Sequence, residues 1–217
     1  MHALLRGIDR LKGREPLHRK APVTIDILQR IAPHYDRNTA EGKAHWACIL
    51  TMFFGLLRKS NVTVAGGRAG PNSNYAKDRH VLRLSDLTYH SDGSYTIRVR
   101  STKTLQDRSR AIEVALPIAV GSDLCPATAM TEFLHATDGL RTADGLPLPD
   151  WVRTRPHDAP LFGYHNPDGT WHALSYHEVL VKFQTAIHAI GLDPAQYAAH
   201  SFRRGPRGNL CLLPGCT

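Results

Sequence analysis

The chain has 217 residues, of which 42% are hydrophobic, and a mean hydropathy of −0.30, a composition typical of a globular rather than a disordered protein. Lys and Arg number 27 against 19 Asp and Glu, a formal net charge of +8, which favours a polyanionic partner, most often a nucleic acid, over a merely soluble basic protein. The longest apolar run, 46–57, is too short to span a bilayer, and the four cysteines form no Cys-x-x-Cys pair, so we expect no membrane association and a reducing, intracellular compartment.

The first third of the chain predicts helices. Residues 1–20 combine helical apolar spacing with a basic tether that contains a proline, as the remnant of an upstream DNA-binding arm and its linker would. Thr24 is predicted to cap a helix that ends near Pro33. A longer helix is predicted from about 42 to 58, with one side buried. The Gly-rich, polar segment 65–79 predicts a loop.

The periodicity then changes to that of a small antiparallel sheet. A short strand is predicted over 81–84, and a turn over 91–94. Apolar and polar residues alternate over 95–100 and again over 110–117, which predicts two further strands. Segment 101–109 would connect these two strands, giving a three-stranded antiparallel sheet.

Helices return in the last part of the sequence. Pro126 suits the first turn of a helix, and 138–160 is predicted to be a long connection. Ser175 and Glu178 form a capping box at the start of another helix. A last helix is predicted to start near Pro194. The order of helices, a small sheet and helices again predicts an α+β, mostly helical domain.

Three short segments carry residues suited to phosphate chemistry: GLLRKSN (55–61) at a helix end, STKT (101–104) between strands, and HSFRRG (200–205) in the last helix. Two guanidiniums can bind the non-bridging oxygens of a pentavalent phosphate, because arginine is planar, charged and bidentate. A lysine on a hairpin can protonate a departing 5′ oxygen, and a histidine one helical turn before an arginine can share the same phosphate.

Each segment alone has a simpler interpretation. An arginine that ends a helix is more often a partner of the helix dipole, a hairpin lysine is usually only solvated, and His-x-x-Arg often occurs on helices by chance. The order of the three segments, and their predicted placement on a helix end, a hairpin and a final helix, favour a shared phosphate site.

The three segments together resemble the catalytic domain of the tyrosine recombinase (phage integrase) family, and are similar to the recombinases of eukaryotic mobile elements of the Crypton kind. The resemblance implies a fold like the catalytic core of DNA breaking-rejoining enzymes over 21–205. It implies that Arg58 and Arg203 hold the scissile phosphate, that Lys103 acts as general acid, and that His200 assists proton transfer. It also implies double-stranded DNA as partner, DNA integration through phosphotyrosine chemistry without metal, cofactor or nucleotide, and a nuclear location; a homo-oligomer on DNA stays open.

Basic residues surround the hairpin that carries Lys103. A solvated face is the alternative, but we favour a groove wall that follows the DNA phosphates, because Lys103 lies in the middle of these residues. The residues predicted to contact DNA are Arg98, Arg100, Arg108, Arg110 and Arg204.

Residues 206–217 depart from the family pattern and predict an aberrant tail. Their prolines and glycines cannot continue a helix, as after a frameshift or a misplaced splice. No tyrosine follows His200, so we expect a recombinase domain that is inactive alone unless a tyrosine is supplied in trans. The alternatives are a non-catalytic DNA-binding module derived from a mobile element and a product without a stable fold.

Other chemistry is less well supported by the sequence. Cys211 and Cys216 lack a second ligand pair, so we expect no zinc site. The Gly-rich segment 66–70 has no preceding strand or following helix of the P-loop kind, so we expect no nucleotide site. The spread histidines of the last third are interpreted as structural or solvated; they are His165, His172 and His177.

Overall fold

The computed structural model describes residues 20–65, 75, 79–100, 111–137 and 159–205. Within these ranges the helices are α1 (Ile25–Ile31), α2 (Ala40–Phe54), α3 (Lys59–Val62), α4 (Pro126–Thr137), α5 (Tyr176–Ala189) and α6 (Ala199–Arg204). The strands are β1 (Leu87–Tyr89), β2 (Tyr95–Val99), β3 (Ile112–Leu116), β4 (Gly163–His165) and β5 (Trp171–Ala173). More helix than strand, with a three-stranded antiparallel sheet, confirms the predicted α+β class.

Helix α2 lies at the centre of the core. It begins at Thr39, whose hydroxyl accepts a hydrogen bond from the Gly42 amide at 3.0 Å. Every residue from 44 to 53 is buried, because α4, β4 and α6 all pack against it. The prediction of a helix with one buried side is therefore wrong: α2 is covered all round, as expected for a helix without a polar stripe.

The end of α2 also differs from the prediction, because the helix stops at Phe54 rather than at Arg58. Leu56 adopts a left-handed backbone conformation with φ 50°. The Leu57 amide donates to the Met52 carbonyl at 3.2 Å and the Leu56 amide to the Phe53 carbonyl at 3.3 Å. These two bonds form a Schellman motif with leucine where glycine is usual. Arg58 consequently leaves the axis of α2 and precedes α3.

The leucine in this left-handed position gives a testable prediction. Leu56→Asn is expected to raise the free energy of unfolding by up to about 1 kcal/mol, because asparagine tolerates this conformation better than leucine does. Chemical denaturation of both proteins measures the difference. A lower free energy of unfolding in the variant would show that packing of the half-buried Leu56 side chain outweighs the backbone strain.

The three-stranded sheet has the order β1-β2-β3, and both pairs are antiparallel. Tyr95, Ile97 and Val99 of β2 are buried, whereas Arg98 between them is exposed, which confirms the predicted alternation. The predicted turn is also present: Gly93 has φ 84°, and the Asp92 carboxylate accepts from the Ser94 amide at 2.9 Å.

The predicted strand over 81–84 is wrong. Leu82 instead donates its amide to the Asn61 carbonyl at 2.7 Å, and 84–86 form a 3-10 turn before β1. The turn forms because the Asp86 carboxylate accepts from the Arg83 amide at 3.0 Å. This side-chain cap competes with strand pairing, so the alternating residues of 81–84 do not form a strand.

The last third contains a hairpin that the sequence did not predict. Strands β4 and β5 pair antiparallel, and Gly169 with φ 80° lies in their connecting turn. Helix α5 follows with its predicted capping box: Glu178 accepts from the Ser175 amide at 2.8 Å, while the Ser175 hydroxyl accepts from the Glu178 amide at 3.3 Å.

The predicted final helix from Pro194 is divided in two. Residues 194–196 form a 3-10 turn capped by Asp193, which accepts from the Ala195 amide at 2.9 Å. Tyr197 and Ala198 are extended, because the Ser201 hydroxyl accepts from the Ala198 amide at 3.0 Å and restarts the helix. His200 and Arg203 thus lie in α6, as predicted, but Tyr197 lies outside it.

Candidate functional site

The backbone at Arg58 is fixed to the segment that precedes the sheet. Its amide donates to the Asn61 side-chain oxygen at 3.2 Å. Asn61 is buried, and its side-chain nitrogen donates to the His80 carbonyl at 3.2 Å while its carbonyl accepts from the Leu82 amide. The Arg58 side chain itself is half-buried. These hydrogen bonds therefore fix the backbone at Arg58, while its side chain stays partly exposed.

The same segment holds the base of the hairpin between β2 and β3. The Asp86 carboxylate, 2% exposed, forms an ion pair with Nε of Arg100, and Arg100 Nη2 donates to the Ser85 hydroxyl at 2.9 Å. Arg100 directly follows β2, so a continuous set of bonds connects α3 to the start of the hairpin. The other predicted residues of this hairpin lie outside the described residues; they are Lys103, Arg108 and Arg110.

The third predicted segment, 200–205, lies on α6 and at its end. The Val23 amide donates to the Ser201 carbonyl at 3.0 Å, which fixes α6 against the segment before α1. A Cβ on Gly205 would approach the Val23 carbonyl oxygen to 1.6 Å and Phe53 to 3.1 Å. The end of α6 consequently lies beside the end of α2. Only glycine fits there without a backbone shift.

This packing determines where the predicted arginines lie. Arg203 is half-buried near the end of α6, two residues before Gly205, and Arg58 follows the C-terminal end of α2 by four residues. His200 is exposed one turn before Arg203, so both residues share one side of α6. The structure thus brings two of the predicted segments to one region and leaves Lys103 undescribed.

Two other arginines that were predicted to contact DNA have neighbours within the protein. Arg204 is exposed, and its guanidinium donates to the Lys20 carbonyl, so it also joins α6 to the start of the described chain. Arg98 is exposed in the middle of β2, opposite Glu113 of β3. The neighbouring carboxylate reduces the positive potential at Arg98.

Sequence reasoning missed the residues that hold these arginines in place. Asn61 and Asp86 are both buried polar side chains that cap the start of a short helical turn. An Asn or Asp three residues after the capped position is a signal visible in the sequence for each. Lys59, whose ammonium lies 3.8 Å from the centre of the Tyr176 ring, carried no such signal.

Neither a model of a known protein family nor the sequence of a curated protein matches this chain. Within the described ranges, no cluster of three or more His, Cys, Asp or Glu side chains is arranged to hold a metal ion. None of the described helices has the length and apolar character needed to cross a membrane.

Proposed function

We propose that the chain is a tyrosine-recombinase-type domain that binds duplex DNA by holding a backbone phosphate between Arg58 and Arg203. The observation that supports this proposal is that the segment after α2, which carries Arg58, and the end of α6, which carries Arg203, both lie near the C-terminal end of α2. Each guanidinium can donate two parallel hydrogen bonds to phosphate oxygens. The net charge of +8 adds attraction that does not depend on sequence.

Cleavage and strand transfer would require two further groups. We assign the general acid to Lys103, on the hairpin whose base Arg100 fixes. The attacking hydroxyl cannot come from Tyr197, because this residue is buried and packs on Phe183 with ring centroids 6.3 Å apart. We therefore propose that the chain alone binds DNA without cutting it, and that cutting requires a tyrosine from a second protomer that is a different protein.

Salt dependence tests the binding step. Fluorescence anisotropy with a labelled duplex should show an affinity that falls at least about threefold between 50 and 200 mM salt, the loss expected when one phosphate is neutralised. Polyglutamate serves as the control polyanion and should compete poorly, because its flexible chain does not present anions at the fixed spacing of the phosphates along a duplex. Equal competition by polyglutamate, or no binding at 50 mM salt, would contradict the proposal.

A nicked suicide duplex in the same preparation tests the cleavage step. We expect no adduct that survives denaturing electrophoresis. An adduct would show that the chain carries its own nucleophile, and loss of that adduct in Tyr176→Phe would identify Tyr176, whose ring lies under the Lys59 ammonium, as that nucleophile. In that case the binding proposal would stand and the assignment of cleavage to a second protomer would be wrong.

A further inference from the structure

The segment 20–23, here called the strap, is bonded to the helix that carries His200 and Arg203. The Ala21 amide donates to the Gln196 carbonyl at 2.7 Å, and the Val23 amide donates to the Ser201 carbonyl at 3.0 Å. The strap is therefore joined through its main chain both to the turn that precedes α6 and to α6 itself.

Two side-chain bonds add to these main-chain bonds. The Lys20 ammonium donates to the Ala195 carbonyl at 2.6 Å, and the Arg204 guanidinium donates to the Lys20 carbonyl. Both of these bonds are exposed, whereas Val23 is fully buried. The strap is thus held by core packing at Val23 and reaches the surface at Lys20.

The sequence of the strap favours an extended backbone. Pro22 fixes its own φ, and its ring restricts Ala21 before it to extended conformations. Pro22 is exposed and has no amide hydrogen, so the amides of Ala21 and Val23 on either side of it are the donors. Such a stiff segment loses less conformational entropy when it docks than a flexible one would.

Helix α6 needs a partner of this kind because it is short. It has six residues, and isolated helices of this length are unstable in water. The Ser201 carbonyl belongs to its last turn, where the carbonyls have no partner within the helix. Because Ser201 is fully buried, the Val23 amide takes the place that water would otherwise fill.

The bonds between the strap and α6 lie on either side of Arg203. One is made by Ser201, two residues earlier, and the other by Arg204, the next residue. We propose that the strap positions Arg203 for its DNA phosphate, so that displacement of the strap weakens DNA binding through Arg203. This inference rests on the proposed function; Ala21 and Val23 are positioning residues, and Arg203 remains the residue that binds phosphate.

Ala21→Pro in the whole chain tests the proposal. The substitution changes no charge, but it removes the amide that donates to Gln196 and puts a ring carbon in its place. Fluorescence anisotropy should show that duplex affinity falls about threefold to tenfold, the range set by the loss of one hydrogen bond. The loss should not exceed that of Arg203→Ala, because the strap acts through this residue.

Val120→Pro is the matched control. Val120 is 88% exposed and is the second residue of a turn in which the Ser122 amide donates to the Ala119 carbonyl at 3.2 Å. Proline is favoured at this position of a turn. The control should therefore bind the duplex as the unmodified chain does.

A double-mutant cycle separates positioning from a general loss of stability. Ala21→Pro combined with Arg203→Ala should bind about as well as Arg203→Ala alone, because the two changes remove the same interaction. Hydrogen exchange should be faster at the amides of 201–204 in Ala21→Pro and unchanged in α4. Pro22→Gly, which makes the exposed middle of the strap flexible, should show a smaller loss with the same coupling and serves if Ala21→Pro does not fold.

Unchanged affinity in a folded Ala21→Pro protein, or its full loss added to that of Arg203→Ala, would overturn the positioning role. Failure of the unmodified chain to bind the duplex would instead refute the proposed function. In that case the exchange rates would still decide whether the strap holds α6, since equal rates in Ala21→Pro and the unmodified chain would show that it does not.

Discussion

Arg203→Ala is expected to weaken binding to duplex DNA about tenfold, and Arg58→Ala to do the same. A charge-assisted hydrogen bond from arginine contributes about 1.5–3 kcal/mol, and a tenfold loss corresponds to about 1.4 kcal/mol. The double variant should lose about a hundredfold if the arginines bind separate oxygens, and less if they act as one unit on the same phosphate. The salt slope should fall by about 0.9 for each phosphate that the variant no longer neutralises.

The matched control for these variants is Arg37→Ala, which removes the same charge at the opposite, N-terminal end of α2. Arg37 precedes α2 and lies 3.5 Å from Asp123, and a helix of 15 residues separates the two ends by about 22 Å. Arg203→Lys should restore part of the affinity, because lysine keeps the charge but loses the bidentate geometry. An equal loss in Arg37→Ala would show that diffuse charge, not a phosphate site, attracts the DNA.

The features that were predicted correctly depend on neighbours in the sequence. Thr24 accepts from the Ile27 amide at 3.3 Å, and Ser175 and Glu178 cap each other across one turn. The turn at Asp92 and Gly93 is equally local. Such motifs are visible without a structure because the partners are no more than three residues apart.

The features that were missed depend on distant partners or on an unusual backbone. No pattern indicates that Leu56 takes a left-handed conformation, so the end of α2 was placed four residues too late. The 81–84 segment alternates like a strand, but its conformation depends on Asn61, about 20 residues earlier in the chain.

The candidate site shows the same division. The three segments were identified from their composition and order. Whether they lie close together depends on contacts between distant residues, which no local pattern encodes. Arg203 lies near the end of α2 only because α6 bonds to Val23 and Gly205 packs on Phe53. Arg100 was predicted to contact DNA, yet its guanidinium also holds a buried carboxylate, which exposure patterns along β2 do not reveal.

Arg100 and Arg98 form a natural pair for separating a structural role from DNA contact, because they lie two residues apart and point to the same exposed side of the sheet. Arg100→Ala is expected to lower the free energy of unfolding by about 2 kcal/mol, because it leaves the buried Asp86 carboxylate without its cation. The expected loss of stability is kept near 2 kcal/mol because half of the Arg100 side chain is exposed, and solvent there screens its attraction to Asp86. Arg98→Ala should change stability by less than about 0.5 kcal/mol.

The Arg98 and Arg100 variants should also differ in how they affect DNA binding. Arg98→Ala should weaken duplex binding and reduce its salt slope without changing the fold. Arg100→Ala should weaken binding by releasing the base of the hairpin that carries Lys103. The double variant Arg100→Ala with Asp86→Asn removes the unpaired charge and should recover much of the stability. If stability were recovered and affinity also returned fully, Arg100 would have no direct contact with DNA; if affinity stayed low, Arg100 would serve both roles.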